Sequence, residues 1–290
     1  MKIVTHESLP AICISTKYDR EMRNRAKFVR VLVPLSYCVN EANKWISPRI
    51  IGRCWMSDIL INEQLIILGN VDVPLNNDNT MKLLKVFGEA GYMPTVSQEI
   101  NVQTGQSVNR MSLVNGVDIT IAFNTDRISF IRNPNPTKPV AQDFIELARL
   151  FTDKLAQEFN LKANRCVLSQ ERFMAECSEE KMNSTAAVFL NKNHQEGEDA
   201  FEWFTRQSIA YSDAGEKLLK VMEVGRVQGK IILNSVLTEF DRVRVKAEVG
   251  TDFHNRENRY DLKEISALTL RLGALHSDLM ANLVKAHHES

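Results

Sequence analysis

Residues 112–133 carry the pattern that most constrains the fold. In SLVNGVDITIAFNTDRISFIRN, apolar and polar side chains alternate along the chain. A period of two is typical of strands with one buried face. Asn115-Gly116 predicts a type I′ turn, because both central residues of that turn need positive φ, and residues 124–126 predict a second turn. The segment is therefore predicted to form a three-stranded antiparallel meander with one buried face.

A helical pattern follows the meander. After the proline-rich NPNPTKP, large apolar residues recur every three or four positions, at Val140, Phe144, Leu147, Phe151, Leu155 and Phe159. This spacing predicts a long amphipathic helix whose apolar stripe must pack against another element. The one-faced meander supplies that surface, so a sheet covered by a helix is predicted.

The second half of the chain repeats this order. Residues 224–233 and 240–249 alternate as strands, and Asp261 with Glu264 then forms the start of a capping box. The helix that follows carries Leu262, Ile265, Leu268, Leu272, Leu279 and Leu283. The predicted fold class is therefore α+β, with two halves, residues 1–179 and residues 180–290. Each half is predicted to be a mainly antiparallel sheet covered by a long amphipathic helix.

The other elements are shorter. Strands are predicted at residues 11–16, 28–33, 50–56 and 164–169, a hairpin at residues 59–73, and a strand or helix turn at residues 186–190. A helix is predicted at residues 80–89, where the glycines and proline of GEAGYMP end it.

Composition limits the possible partners. The 290 residues are 44% hydrophobic and 25% charged, and 36 Lys plus Arg balance 36 Asp plus Glu, so a formal net charge of +0 gives no overall attraction to nucleic acid or anionic lipid. No apolar run approaches the ~20 residues of a membrane helix and no signal-peptide pattern is present, which predicts a cytoplasmic protein without membrane contact. Five cysteines without a C-x-x-C pair argue against a disulfide framework.

The clearest charge pattern lies in FDRVRVKAEV, where Arg242, Arg244 and Lys246 share one strand face because side chains alternate. If this strand pairs with GRVQGKII, Arg226 and Lys230 are predicted to extend that face into a basic strip able to contact phosphates or an acidic protein. The alternative is a solvated outer face that protects the sheet from edge pairing.

Patterns for catalysis and metal binding are sparse. Asp252 and His254 point to one side of an extended chain, with His276 or Asp278 as further candidates, but two ligands do not make a metal site. His276 lies on the apolar stripe of the last helix, so a packed, hydrogen-bonded histidine is favoured over a general base. Residues 287–288 are predicted to lie in a fraying tail. With no phosphate-loop, dinucleotide or nucleophile-elbow motif, we predict no catalytic residue, no metal and no cofactor.

Several short sequence segments follow one another in a characteristic order over most of the chain. They are PAICIST, then NGVDITIAFNTDRISFI with the FIELARLFTDKL helix, then EVGTDF before a helix with ALHSDLMANL. In this order they resemble a sporadically distributed family of uncharacterised bacterial proteins with two α+β halves. The resemblance implies that fold and an accessory role, such as one in a mobile phage-defence cassette. It implies no catalytic residue.

The sequence thus favours a non-catalytic binding or sensor component of a bacterial multi-protein system, with a protein partner or self-association. The alternative is a nucleic-acid-binding protein or divergent nuclease that uses the basic strip. An enzyme with a pocket between the two halves is a third hypothesis.

Overall fold

Residues 58–100, 103–115, 119–132, 143–190, 202–233 and 236–290 are described by a computed structural model, the side chains of residues 231–238 excepted. The strands are β1 (Ile59–Asn70), β2 (Met93–Ile100), β3 (Ser107–Val114), β4 (Ile119–Phe123), β5 (Arg127–Arg132), β6 (Lys162–Phe173), β7 (Phe204–Asp213), β8 (Glu216–Leu233), β9 (Val236–Thr251) and β10 (Tyr260–Asp261). The helices are α1 (Asn77–Phe87), α2 (Phe144–Glu158), α3 (Glu179–Leu190) and α4 (Leu262–Glu289).

The ten strands found in the described ranges all belong to one sheet, in the order β2-β3-β4-β5-β1-β6-β9-β8-β7, with β10 pairing with β6. The pairings are antiparallel, and β6 joins β9 with Leu168 opposite Val249. The predicted α+β class with a mainly antiparallel sheet is therefore confirmed. The arrangement in two halves is not confirmed, because the strands of the described residues form one ten-stranded sheet instead of two sheets.

The junction of β6 and β9 has a simple physical reason. Two separate sheets would leave each of these strands with a row of unpaired N–H and C=O groups, whereas pairing the two strands satisfies both rows. Hydrophobic alternation identifies a strand but does not reveal which edge it pairs with. The predicted division at residue 180 falls in the first turn of α3 and stays a prediction.

The two faces of the sheet differ. One face, here called the helix face, carries Leu65, Phe130, Leu168 and Val249, which lie side by side in register and are buried. Helices α2 and α4 pack on this side, and α1 and α3 pack beside them. The opposite face carries Ser169, Glu171, Arg244 and Lys246. None of the four described helices lies on that face.

The meander is confirmed as β3, β4 and β5. Ile121 of β4 lies opposite Leu113 of β3 and Phe130 of β5, and all three side chains are buried on the helix face. Gly116, the second residue of the predicted type I′ turn, lies outside the described residues.

Helix α2 begins where an aspartate caps it. The carboxylate of Asp143 accepts hydrogen bonds from the backbone N–H groups of Ile145 (2.7 Å) and Glu146 (3.4 Å), which have no partner within the helix. The predicted helix is confirmed from Phe144 to Glu158, and Val140 lies outside the described residues.

Helix α2 is held to α1 by an aromatic cluster. Phe151 packs edge-on against Phe87 and Tyr92, with ring centroids 5.3 Å and 5.1 Å away. All three residues are at most 2% exposed, so the cluster lies in the core. The predicted apolar stripe therefore does pack, both on the sheet and on α1.

Helix α4 confirms the predicted capping box. The Asp261 carboxylate accepts from the Glu264 N–H at 2.8 Å, and the Glu264 carboxylate accepts from the Asp261 N–H at 2.7 Å. The prediction of a fraying tail at residues 287–288 is wrong, because the helix continues to Glu289. His287 is 3% exposed and lies 3.1 Å from the hydroxyl of Thr185 on α3.

Other local predictions have mixed outcomes. The strand at residues 164–169 is confirmed within β6, and the helix at residues 80–89 corresponds to α1. The prediction of a hairpin over residues 59–73 is wrong, since β1 continues to Asn70 as one central strand between β5 and β6. Residues 186–190 lie in α3. The strands predicted at residues 11–16, 28–33 and 50–56 lie outside the described residues.

Candidate functional site

The predicted basic strip is divided between the two faces of the sheet. Its residues are Arg226, Lys230, Arg242, Arg244 and Lys246. The predicted pairing of β8 with β9 is present, and residues opposite one another in such a pair lie on the same face. Arg226 is opposite Val243 and Lys230 is opposite Glu239, so these two cations lie on the helix face. The other three lie on the opposite face, and the prediction of one shared face is wrong.

Each of the five cations has a carboxylate neighbour. The ion pairs join Arg226 to Glu179 (2.5 Å) and Asp241 (2.6 Å), Lys230 to Glu239 (2.5 Å), Arg242 to Glu176 (3.7 Å), Arg244 to Glu171 (2.7 Å) and Glu223 (3.5 Å), and Lys246 to Glu248 (2.7 Å). Seven carboxylates therefore neighbour five cations. These strands present no local excess of positive charge that would attract a phosphate backbone.

Two of these arginines hold parts of the fold together. The guanidinium of Arg226 lies between β9 and α3, and hydrogen bonds to Asp241 and Glu179 raise its pKa. Arg242 is fully buried and donates to the backbone carbonyl of Met174 at 3.0 Å, which fixes the chain just after β6. Neither side chain is available to a partner without first breaking these contacts.

Of the residues in the metal hypothesis, the structure brings two into contact and places His276 elsewhere. Asp252 and His254 do meet, with Nδ1 of His254 3.2 Å from the Asp252 carboxylate, and Lys217 lies 2.9 Å from the same carboxylate. The bond from Lys217 lowers the pKa of Asp252 to about 2. His276 instead contacts the carbonyl of Ala247 at 3.2 Å. Across the described ranges, no group of three His, Cys, Asp or Glu residues is placed to hold a metal ion.

His276 is packed and hydrogen-bonded, as predicted, and is 5% exposed. Burial lowers the pKa of His276 to about 4, with the nearby charge of Arg172 acting in the same direction. Burial also lowers the pKa of His287 to about 4, with contributions from Lys181 and His288. Both rings are therefore neutral in the folded protein at pH 7.

We expect the melting temperature to fall as the pH is lowered from 7 to 5. The unfolded chain binds protons on these histidines near pH 6.5, whereas the folded chain does so near pH 4, so stability is complete above pH 6.5 and is lost as the pH falls toward 4. Calorimetry at both pH values should show a smaller fall for His287→Gln than for the native protein. The exposed variant His254→Gln is the control, and an undiminished fall in His287→Gln contradicts the expectation.

The sequence patterns miss a buried polar network on the helix face. Glu63 of β1 forms an ion pair with Arg132 of β5 at 3.2 Å and accepts a hydrogen bond from Gln170 of β6, which in turn accepts from Arg172 at 3.0 Å. The ring of Phe144 covers Arg132, with 5.3 Å between guanidinium and ring centroid. Because these contacts join β1, β5 and β6 to one another, the network holds three strands together.

An apolar strand at the edge of the sheet, β2, is the second feature that the sequence patterns do not predict. β2 ends the sheet, and nothing else in the described part of the chain pairs with its outer edge. Val96 and Ile100 of β2 are 63% and 60% exposed, and Met81 of α1, the helix that contacts β2, is 65% exposed. Of twelve exposed large hydrophobic side chains in the described ranges, six lie in this region: Leu75, Met81, Met93, Val96, Ile100 and Val108.

Comparison with known proteins gives no family. No protein-family model matches the chain, and no curated protein matches it at a significant level of similarity. Within the described ranges, no helix is long and apolar enough to cross a membrane.

Proposed function

We propose that this protein is a non-catalytic binding component that self-associates through the outer edge of β2. The observation that carries the proposal is the exposure of Val96 and Ile100 on a terminal strand whose outer edge pairs with no strand of the described residues. A free edge presents backbone donors and acceptors to another strand, and proteins that stay monomeric protect such edges with lysine, proline or a covering element. β2 has no lysine, and its one proline, Pro94, lies near one end.

A second copy of the chain is the occupant that this edge fits. Val96 is opposite Met111 in β3 and so lies on the helix face, and Ile100 lies on the same face because side chains alternate. In an antiparallel pairing of two β2 strands centred on Gln98, Val96 of each copy lies opposite Ile100 of the other. This register forms two apolar cross-strand pairs and leaves Pro94 outside the paired segment.

Electrostatics does not oppose this pairing. Glu99 is the one charged residue of β2, and its carboxylate is already bound by Arg110 (2.7 Å) and the hydroxyl of Thr125 (2.7 Å). In the register centred on Gln98, Glu99 lies opposite Ser97 of the second copy, so two like charges do not meet. The other terminal strand, β7, is less suitable because its polar residues include Arg206.

The test is the molar mass of the protein in solution. We expect light scattering coupled to size exclusion to give twice the monomer mass of 33.0 kDa. A variant with Val96→Lys and Ile100→Lys is expected to be monomeric, because four lysines would meet at the shared edge. Val188→Lys is the matched control, since Val188 is 52% exposed on α3, away from β2. A native protein that elutes at the monomer mass, or a lysine variant that stays dimeric, overturns the proposal.

The alternative function, nucleic-acid binding or a divergent nuclease, stays a prediction. The carboxylates beside Arg226, Lys230, Arg242, Arg244 and Lys246 do not favour it. Retention on a DNA or RNA column that declines steeply with salt, together with loss of retention in Lys246→Ala, would support it.

The biological setting is also part of the proposal. A dimeric, cytoplasmic binding or sensor component suits an accessory bacterial multi-protein system, including a phage-defence cassette, and a further protein partner is compatible with it. The proposal includes no cofactor and no contact with a membrane.

A further inference from the structure

Pro94 shows which residues of β2 direct their backbone groups outward. It lies opposite Leu113 of β3 and has no N–H group to donate to that strand. A proline within a sheet belongs on an edge strand, with its nitrogen facing away from the neighbouring strand. The hydroxyls of Thr95 and Ser97 fit this alternation, because they donate to backbone carbonyls of β3 at 3.3 Å and 3.5 Å. The residues at positions 96, 98 and 100 therefore present their N–H and C=O groups to the outer edge.

The side chains of these three residues lie in one row on the helix face, because side chains alternate along the strand. Val96 and Ile100 are apolar, the polar Gln98 stands between them, and all three are exposed. On the opposite face, Ser97 and Glu99 are already hydrogen-bonded to side chains of β3, at 3.0 Å and 2.7 Å. Gln98 therefore supplies the polar side chain of the surface that a second copy would cover.

We propose that Gln98 determines the register of self-association by pairing with Gln98 of the second copy, an inference that rests on the proposed function. In the register centred on this residue, the two carboxamides lie directly opposite each other, and each has a donor and an acceptor for the other. The cross-strand pairs of Val96 with Ile100 flank the two amides on both sides. These apolar side chains reduce contact with water, which strengthens a hydrogen bond between the amides.

The two nearest symmetric registers, centred one residue earlier or later, are less favourable. Both place Gln98 opposite Val96 or Ile100 of the second copy, so each amide loses its partner beside apolar groups. The later centre also places Glu99 opposite its own copy, which brings two like charges together. The earlier centre places Pro94 opposite Ile100, where the missing N–H removes a hydrogen bond from the ladder. The amide pair therefore distinguishes the register centred on Gln98 from both alternatives.

Disulfide formation by Ser97→Cys tests the proposal. In the register centred on Gln98, the Cα atoms of residue 97 in the two copies are roughly 8 Å apart, too far for a disulfide. They face each other when the centre moves to residue 97. We expect little covalent dimer from Ser97→Cys alone and about tenfold more when Gln98→Val is added, because valine removes the amide pair that selects the register. Non-reducing electrophoresis after mild oxidation measures the yield.

Thr95→Val is the matched control, because Thr95 is an exposed polar residue of the same strand whose side chain lies on the opposite face. Added to Ser97→Cys, it is expected to leave the yield of covalent dimer unchanged. A dimeric protein in which Gln98→Val gives no gain, or in which Ser97→Cys alone is already abundantly cross-linked, overturns the role of Gln98 and leaves pairing through β2 standing. A native protein that is monomeric overturns both.

Discussion

Replacing Phe151 with alanine is expected to lower the free energy of unfolding by about 4 kcal/mol. Phe151 is 2% exposed and lies at the centre of the aromatic cluster with Phe87 and Tyr92. The truncation removes the transfer free energy of a phenyl ring and leaves a cavity where α1, α2 and the sheet meet. Urea denaturation at one fixed protein concentration measures the change, because the proposed dimerisation would make the apparent stability depend on concentration.

The adjacent residue of the same helix provides the control. Leu150 is 44% exposed, so Leu150→Ala is expected to change the free energy of unfolding by less than about 0.5 kcal/mol. Similar losses in Phe151→Ala and Leu150→Ala would mean that α2 does not present Phe151 to the sheet and α1, and would contradict the description of the helix face.

Replacing Glu63 with glutamine is expected to lower the free energy of unfolding by about 3 kcal/mol. The side chains of Glu63 and Arg132 are 14% and 5% exposed, so the substitution leaves a buried guanidinium without its carboxylate at 3.2 Å. It also changes the acceptor of the hydrogen bond from Gln170. Removal of one partner of a buried ion pair costs more than the pair itself contributes, because the remaining charge has already lost its water.

Glu158→Gln is the matched control for charge removal. Glu158 pairs with Lys85 at 3.2 Å, but the lysine side chain is 76% exposed, so the pair contributes less than about 1 kcal/mol. Chemical denaturation of both variants under the same conditions checks the contrast. A loss in Glu63→Gln no larger than that in Glu158→Gln would show that the network on the helix face is solvated.

The hydrophobic periodicity of the sequence correctly predicts the elements in which apolar residues recur at regular spacing. The meander, α2 and the capping box of Asp261 are confirmed because each depends on residues close together in the sequence. The prediction of a fraying tail at residues 287–288 is wrong because it considered only residues close together in the sequence. His287 is buried by a contact with Thr185, about a hundred residues earlier in the chain, and sequence pattern does not report such a contact.

Sheet order and register are not predictable in the same way. A shift of one residue in the pairing of β8 with β9 moves every side chain of a strand to the other face, so the sequence pattern predicts the wrong face for Arg226. The edge strands β2 and β7 are missed because strands without a buried face show little alternation. The one available signal for the buried network is Glu63, two residues before Leu65 and thus on the inward side of its strand.

Disulfide trapping across the proposed two-fold axis tests self-association through β2 most directly. In the register centred on Gln98, this residue faces its own copy, so Gln98→Cys is expected to give an intermolecular disulfide that native protein does not form under the same oxidation. Asn109→Cys is the control, because Asn109 lies opposite Gln98 in β3 and its copies would be roughly 14 Å apart, three strand spacings. A covalent dimer with Gln98→Cys and none with Asn109→Cys is the predicted result. No dimer with Gln98→Cys, or equal amounts with both, would contradict pairing through β2.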